Sequence, residues 1–197
     1  MIIGVLITGM PGAGKSTLAE AARELGIPVV SMGEVIFKET MKRNLPLTPE
    51  NTSKVAIELR KKFGEDIVAK LTIELIKSEI LSKEERKEKV LIIVDGIRSL
   101  AEVNTFKRFF DKVILVAVHA PPKVRYERVL SRKRLDDPFE VKKLIERDLR
   151  ELSFGVGSVI AMADEILINK GKTYEEFLTE CKTFVKRLLK EAKKNCP

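Results

Sequence analysis

Nine consecutive residues, Gly9-Met10-Pro11-Gly12-Ala13-Gly14-Lys15-Ser16-Thr17, fit the pattern G-x-x-x-x-G-K-[ST]. Glycines at those positions let a backbone curl inward, so that its N–H groups surround a polyphosphate at the positive end of a helix. Lys15 is placed to reach the β- and γ-phosphates, Ser16 to offer its hydroxyl to Mg²⁺, and Thr17 to border the α-phosphate. The same spacing could mark nothing more than a glycine-rich turn. An apolar strand before it and an amphipathic helix after it argue for the phosphate-binding loop instead.

A second chemical signal is Val90-Leu91-Ile92-Ile93-Val94-Asp95, an apolar run ending in a carboxylate. A parallel strand of this kind brings its terminal acid to the sheet's carboxyl edge, where a phosphate-bound Mg²⁺ would meet it. Asp95 could alternatively do no more than open a turn with Gly96. Arg98 follows three residues later and is either a fork for a phosphate or a solvated side chain.

The elements that must position these groups follow from periodicity. Short Val/Ile/Leu runs alternate with amphipathic stretches, which predicts parallel strands covered by helices on both faces. Strands are expected at 2–8, 28–31, 90–95, 112–118 and 164–168. Helices are expected at 15–25, 33–43, 50–61, 65–81, 99–110, 122–132, 138–150, 155–161 and 173–195. Thr48 and Pro49 have the types of an N-cap and first helical residue. The segment of approximately 33–81, with no strand signal, is expected to be a helical insertion over the carboxyl edge.

At 197 residues, 44% hydrophobic and 34% charged, the chain has the size and composition of one globular domain with a proper core. No apolar run approaches the roughly 20 residues that cross a bilayer, so no membrane partner is expected. The N-terminal strand lacks the basic leader of a signal peptide. Cys181 and Cys196 share one helical segment and would stand about 22 Å apart, too far for a disulfide. The expected compartment is therefore cytoplasmic. His119 is the only histidine; it ends an expected strand and reads as a satisfied polar group. A net charge of +8 favours phosphate-bearing partners.

A regulatory GTPase is disfavoured. After the last strand stands Asn169-Lys170-Gly171-Lys172, without the aspartate of N-K-x-D, and Asp95-Gly96-Ile97-Arg98 misplaces the glycine of D-x-x-G.

Several separated segments resemble the P-loop small-molecule kinases, above all adenylate kinase and dephospho-CoA kinase. Asp95-Gly96-Ile97-Arg98-Ser99 is similar to D-G-F-P-R-T of adenylate kinases with one residue fewer. Ser31-Met32-Gly33-Glu34-Val35-Ile36 is similar to their S-T-G-D-x-L and to D-A-D-x-I of dephospho-CoA kinases. Arg134-Leu135-Asp136-Asp137 resembles R-x-D-D behind the adenylate kinase lid, and Ala163 to Gly171 resembles A-D-x-V-I-x-N-x-G of dephospho-CoA kinases. The whole pattern is similar to an archaeal family described as related to those two enzymes.

That resemblance implies an α/β, three-layer P-loop NTPase fold with a five-stranded parallel sheet in the order 2-3-1-4-5. Residues 1–197 would form one kinase domain, with the insertion binding the acceptor and a short lid at approximately 121–137. It implies ATP and Mg²⁺ as cofactors, with Ser16 and Asp95 as metal-side residues and Lys15, Asp95 and Arg134 as catalytic ones. Gly33, Glu34, Arg60 and Arg98 would bind the acceptor, a nucleotide or dephospho-CoA. Arg125, Arg128 and Arg132 would join Arg134 on the lid or form an exposed basic helix. Glu34 would accept an acceptor hydroxyl proton or sit in a helix's first turn.

The chain also departs from those families. Phe37 stands where adenylate kinases place an acceptor-phosphate arginine, the long lid insert is absent, and residues 44–81 lack the dephospho-CoA kinase pattern. The alternative is a P-loop ATPase acting on RNA or in ribosome assembly, supported by the charge and the tail Lys186-Arg187 to Lys193-Lys194. That tail alternates Phe184, Val185, Leu188 and Leu189 with its lysines, which favours an ordinary packed helix and makes nucleic acid the weaker partner.

Overall fold

In the computed structural model, which describes residues 1–83, 89–132 and 140–194, the five apolar runs pair into one sheet. Its strands are β1 (Ile2–Thr8), β2 (Val29–Ser31), β3 (Val90–Ile97), β4 (Lys112–His119) and β5 (Glu165–Ile168). All are parallel, in the order β2-β3-β1-β4-β5. Both faces are covered, which is why the central strands carry consecutive apolar residues and not alternating ones.

Alternation instead decides which layer a residue enters. Ile3, Val5 and Ile7 of β1, with Leu91 and Ile93 of β3, pack against α1 (Lys15–Glu24) and α9 (Tyr174–Lys194). Leu6, Ile92 and Val94 point the other way, toward α2 (Met32–Lys42), α3 (Pro49–Phe63), α4 (Ile67–Glu79) and α5 (Leu100–Phe109). The lysine-rich tail is an amphipathic helix: α9 buries Phe177, Cys181, Phe184, Val185 and Leu188 against the α1 layer. Its apolar face therefore has an ordinary packing role. Cys181 is buried, and burial pushes its thiol up to about 12; Cys196 lies outside the described residues. No helix among the described residues is long and apolar enough to cross a membrane.

Local sequence explains the helix starts. Thr48 caps α3 by accepting from the Asn51 amide at 3.2 Å, with Pro49 in the first turn. Ser99 and Glu102 form a capping box at α5. Before it, β3 runs two residues past its expected end through a bulge. Ile7 pairs with Asp95 and Thr8 with Ile97, leaving Gly96 as the extra residue. Gly96 has φ +103, a left-handed conformation that glycine adopts without strain. The Thr8 hydroxyl donates to Ile97 O at 2.9 Å and holds the bulge shut.

Three further helices, α6 (Pro122–Arg132), α7 (Val141–Ser153) and α8 (Val156–Ala161), complete the α-helices among the described residues. The sequence spacing ends α7 at residue 150. The helix runs on to Ser153, because Phe154 remains helical and the left-handed turn falls at Gly155.

Candidate active site

The loop after β1 closes on itself before any ligand is considered. Lys15 donates to Gly9 O at 2.7 Å and to Met10 O at 3.2 Å, so its ammonium occupies the bowl of its own loop. Burial pulls its pKa down from 10.5 to about 8, against the opposing pull of Asp95 and Glu151. An anion arriving beside a buried amine raises its pKa again and favours the charged form. The first turn of α1, whose leading amides lack intrahelical acceptors, contains no acidic side chain.

Gly14 shows why the loop needs its glycine there. Its φ is +111, and a Cβ would stand 2.4 Å from Asn169 Nδ2. Asn169 donates to Ala13 O at 3.0 Å and accepts from Arg128 at 3.0 Å, tying the loop to the turn after β5. On the opposite flank, Arg125 donates to Pro11 O at 3.0 Å and forks onto Asp148 of α7 at 2.9 and 2.5 Å. Tyr126 adds its hydroxyl to the same carboxylate at 2.9 Å.

From this loop a single cavity of about 430 Å³ runs along the sheet's carboxyl edge to the insertion. That volume suits a small ligand site. Gly9, Pro11, Gly12, Gly14, Lys15 and Ser16 line one end. Asp95 and Arg98 stand in the middle, with Gly33 and Arg60 beyond them. Met10, Ala13 and Thr17 complete the loop without lining the cavity, and Ala13 and Thr17 are buried beneath it.

Four residues of one helical face close the cavity from the other side: Arg147, Arg150, Glu151 and Phe154. Their spacing of i, i+3, i+4 and i+7 is legible in the sequence as one stripe, yet nothing in the motifs points to it. Glu151 accepts from Arg98 Nε at 2.6 Å. Burial alone would raise the Glu151 carboxyl, but the Arg98 charge and hydrogen bond outweigh it and hold it below its ordinary range. Arg98 is reciprocally raised, chiefly by Glu151. Arg60 donates to Glu102 at 2.9 Å and lies over the Phe154 ring at 4.8 Å. Glu102 is fully buried and also accepts from the Arg98 amide at 2.7 Å.

Some expected site residues lie elsewhere. Glu34 is exposed and lines a separate groove beside β2 with Lys38 and Glu79, because at its position in α2 the side chain faces away from the loop. Arg125 is neither an exposed basic residue nor available to a lid: it is 4% exposed and bound to Asp148 and Pro11. Arg128 is held by Asn169, and burial lowers its pKa. His119 is exposed and does not line the cavity. Arg134, with Asp136 and Asp137, lies outside the described residues, as does the latter part of the expected lid.

Among the described residues no group of three or more His, Cys, Asp or Glu could hold a metal unaided. Asp95 and the exposed Ser16 hydroxyl instead face one cavity. An oxygen pair of that kind suits a Mg²⁺ ion that keeps waters and takes its remaining ligands from phosphate.

Residues 8–143 match a family described as the AAA domain. A UPF0200 protein of Thermococcus gammatolerans is 46% identical over 188 residues, covering 94% of this chain and 95% of the relative. A second, UPF0200 protein MJ1399 of Methanocaldococcus jannaschii, is 42% identical over 194 residues, covering 98% and 93%. Among solved structures, TT1252 from Thermus thermophilus superposes with a TM-score of 0.60 at 21% identity, over 97% of each chain. A shikimate kinase from Bacteroides thetaiotaomicron gives 0.55 at 18% identity, over 95% of this chain and 98% of that one. These likenesses show the fold, a P-loop NTPase sheet in the order β2-β3-β1-β4-β5.

Proposed function

The chain belongs to the archaeal UPF0200 family, and its residues 8–143 match the AAA domain; on that footing we propose that it is an ATP-dependent phosphotransferase acting on a small acceptor of nucleotide or dephospho-CoA type. The observation that carries this reading is the shared cavity: the phosphate loop and the helical insertion open into the same space, with Asp95 and Arg98 between them. The shikimate kinase among the similar folds is named for a small-molecule acceptor, which agrees with the reading.

Phosphoryl transfer asks mainly that charge be neutralised, partners aligned and water excluded. ATP lies with its phosphates in the loop of residues 9–17. Lys15 leaves the Gly9 and Met10 carbonyls for the β- and γ-phosphate oxygens and becomes fully charged there. Ser16 and Asp95 would hold a magnesium ion there, and its charge would offset that of the phosphates. An acceptor oxygen entering from the insertion side bonds to the γ-phosphorus as the bond to the β-phosphate oxygen breaks, and ADP leaves. Arg147 and Arg150 add positive charge along this path. Gly33 and Phe37 wall the acceptor end, while Arg60, fixed by Glu102 and Phe154, shapes it from α3.

An ADP-release assay tests this with ATP, Mg²⁺ and a panel of nucleoside monophosphates, dephospho-CoA, shikimate and gluconate. At least one acceptor should raise ADP release above the acceptor-free rate, and Lys15→Ala should abolish the increase with little change in melting temperature. A panel yielding only acceptor-independent hydrolysis would refute the proposal.

A further inference from the structure

Resting on the phosphotransferase reading above, we infer that the reacting group of the acceptor is a hydroxyl, not a phosphate, and that Glu151 receives its hydrogen bond and its proton. The distribution of charge carries the inference. A phosphate acceptor is a dianion near neutral pH and needs uncommitted cations at the acceptor end of a cleft. Here the two arginines nearest that end each carry a carboxylate partner. Arg60 is paired with the fully buried Glu102 at 2.9 Å, and Arg98 with Glu151 at 2.6 Å. Phe37 adds an apolar wall and no charge. Lys15 sits in the loop, Arg147 is close enough to act electrostatically on both Lys15 and Glu151, and Arg150 follows one turn along the same face.

Glu151 itself is an unusual occupant of a phosphate cleft. It is 8% exposed, lines the cavity that holds Lys15 and Asp95, and is not one of the expected metal-side residues. An acid placed there repels an incoming phosphate and attracts a hydroxyl. Arg98 fixes one oxygen of the carboxylate, Oε2, and the carboxylate's second oxygen supplies the acceptor for an O–H. In the transfer the hydroxyl oxygen bonds to the γ-phosphorus, the bond from phosphorus to the β-phosphate oxygen breaks with its electron pair leaving on ADP, and the hydroxyl proton passes to Glu151 and then to water. The product is a phosphomonoester.

The test compares the wild-type chain, Glu151→Gln and Glu151→Asp with MgATP and the same panel, extended to free nucleosides. Product linkage is read by ³¹P NMR, and folding of each variant by thermal melting. A phosphomonoester is expected, with kcat about 10²-fold lower in Glu151→Gln, the KM for ATP within about threefold of wild type, and partial recovery in Glu151→Asp. A phosphoanhydride product, or a Glu151→Gln kcat within about twofold of wild type, overturns the inference. If no acceptor is phosphorylated but ATP is slowly hydrolysed, the kinase proposal fails separately and water serves as the hydroxyl. The same loss of hydrolysis in Glu151→Gln then supports the role of Glu151, and unchanged hydrolysis overturns it. Neither transfer nor hydrolysis overturns both.

Discussion

Arg125→Ala should be among the most damaging single substitutions outside the hydrophobic layers. The guanidinium is 4% exposed and donates to Asp148 Oδ1 and Oδ2, to Pro11 O and to Ala120 O. Its removal strands a carboxylate that is itself 7% exposed, with only the Tyr126 hydroxyl remaining from this network. Breaking a buried pair from one side costs about 3–5 kcal/mol, since a desolvated charge is left uncompensated. For a domain of this length each kcal/mol corresponds to about 2–4 °C, so the melting temperature should fall by about 6–20 °C. Guanidinium chloride unfolding followed by two probes gives the free energy directly. The double replacement Arg125→Met with Asp148→Leu removes both charges and should recover at least about 2 kcal/mol of the single variant's loss. A loss below about 1 kcal/mol in Arg125→Ala, or no recovery in the double variant, would refute the account of this latch.

Three more outcomes are expected. Lys15, at about 8 in the ligand-free loop, should take up as much as about half a proton when MgATP binds at pH 8, because nearby anions raise an amine's pKa; calorimetry in buffers of different ionisation enthalpy measures it, and affinity should fall about tenfold between pH 7 and pH 9. Gly14→Ala places a Cβ 2.4 Å from Asn169 Nδ2 at φ +111, and should cost about 1–3 kcal/mol by denaturant titration while weakening MgATP. Glu151 has a folded pKa below its ordinary 4.5, so as the pH falls the unfolded chain protonates first. Its contribution to stability is complete above that value and is lost as the pH drops through the lowered folded one; Glu151→Gln should flatten this part of a melting-temperature profile taken from about pH 3 to pH 6.

The parts of the molecule legible in the sequence are those set by local chemistry. The glycine spacing before Lys15, the apolar run into Asp95, and the Thr48-Pro49 start of α3 each depend on neighbours a few residues away, and the strand order follows from the same motifs through family resemblance. What escaped depends on contacts across the fold. Arg125 has the type and spacing of an exposed helical cation, and only the return of α7 with Asp148 turns it into a buried tie to Pro11, 114 positions away. Glu34 occupies the residue position expected of an acceptor-binding acid, but the rotation of α2 after the short β2 aims it into another groove. The stripe from Arg147 to Phe154 shows the right periodicity for a functional face, and nothing local tells a cleft-facing stripe from a solvated one. Glu102 closes the capping box of α5 from three residues away, but its other partner, Arg60, comes from a helix 42 positions earlier.

The claim on which the rest depends is that the turn after β1 grips a nucleoside triphosphate at one end of the shared cavity. Titration calorimetry of MgATP into the wild-type chain and into Lys15→Ala tests it most directly. Saturable one-to-one binding to the wild type, weakened at least about tenfold in a Lys15→Ala chain of unchanged melting temperature, is the predicted result. Absence of binding to the wild type, or equal affinity for both chains, would contradict it.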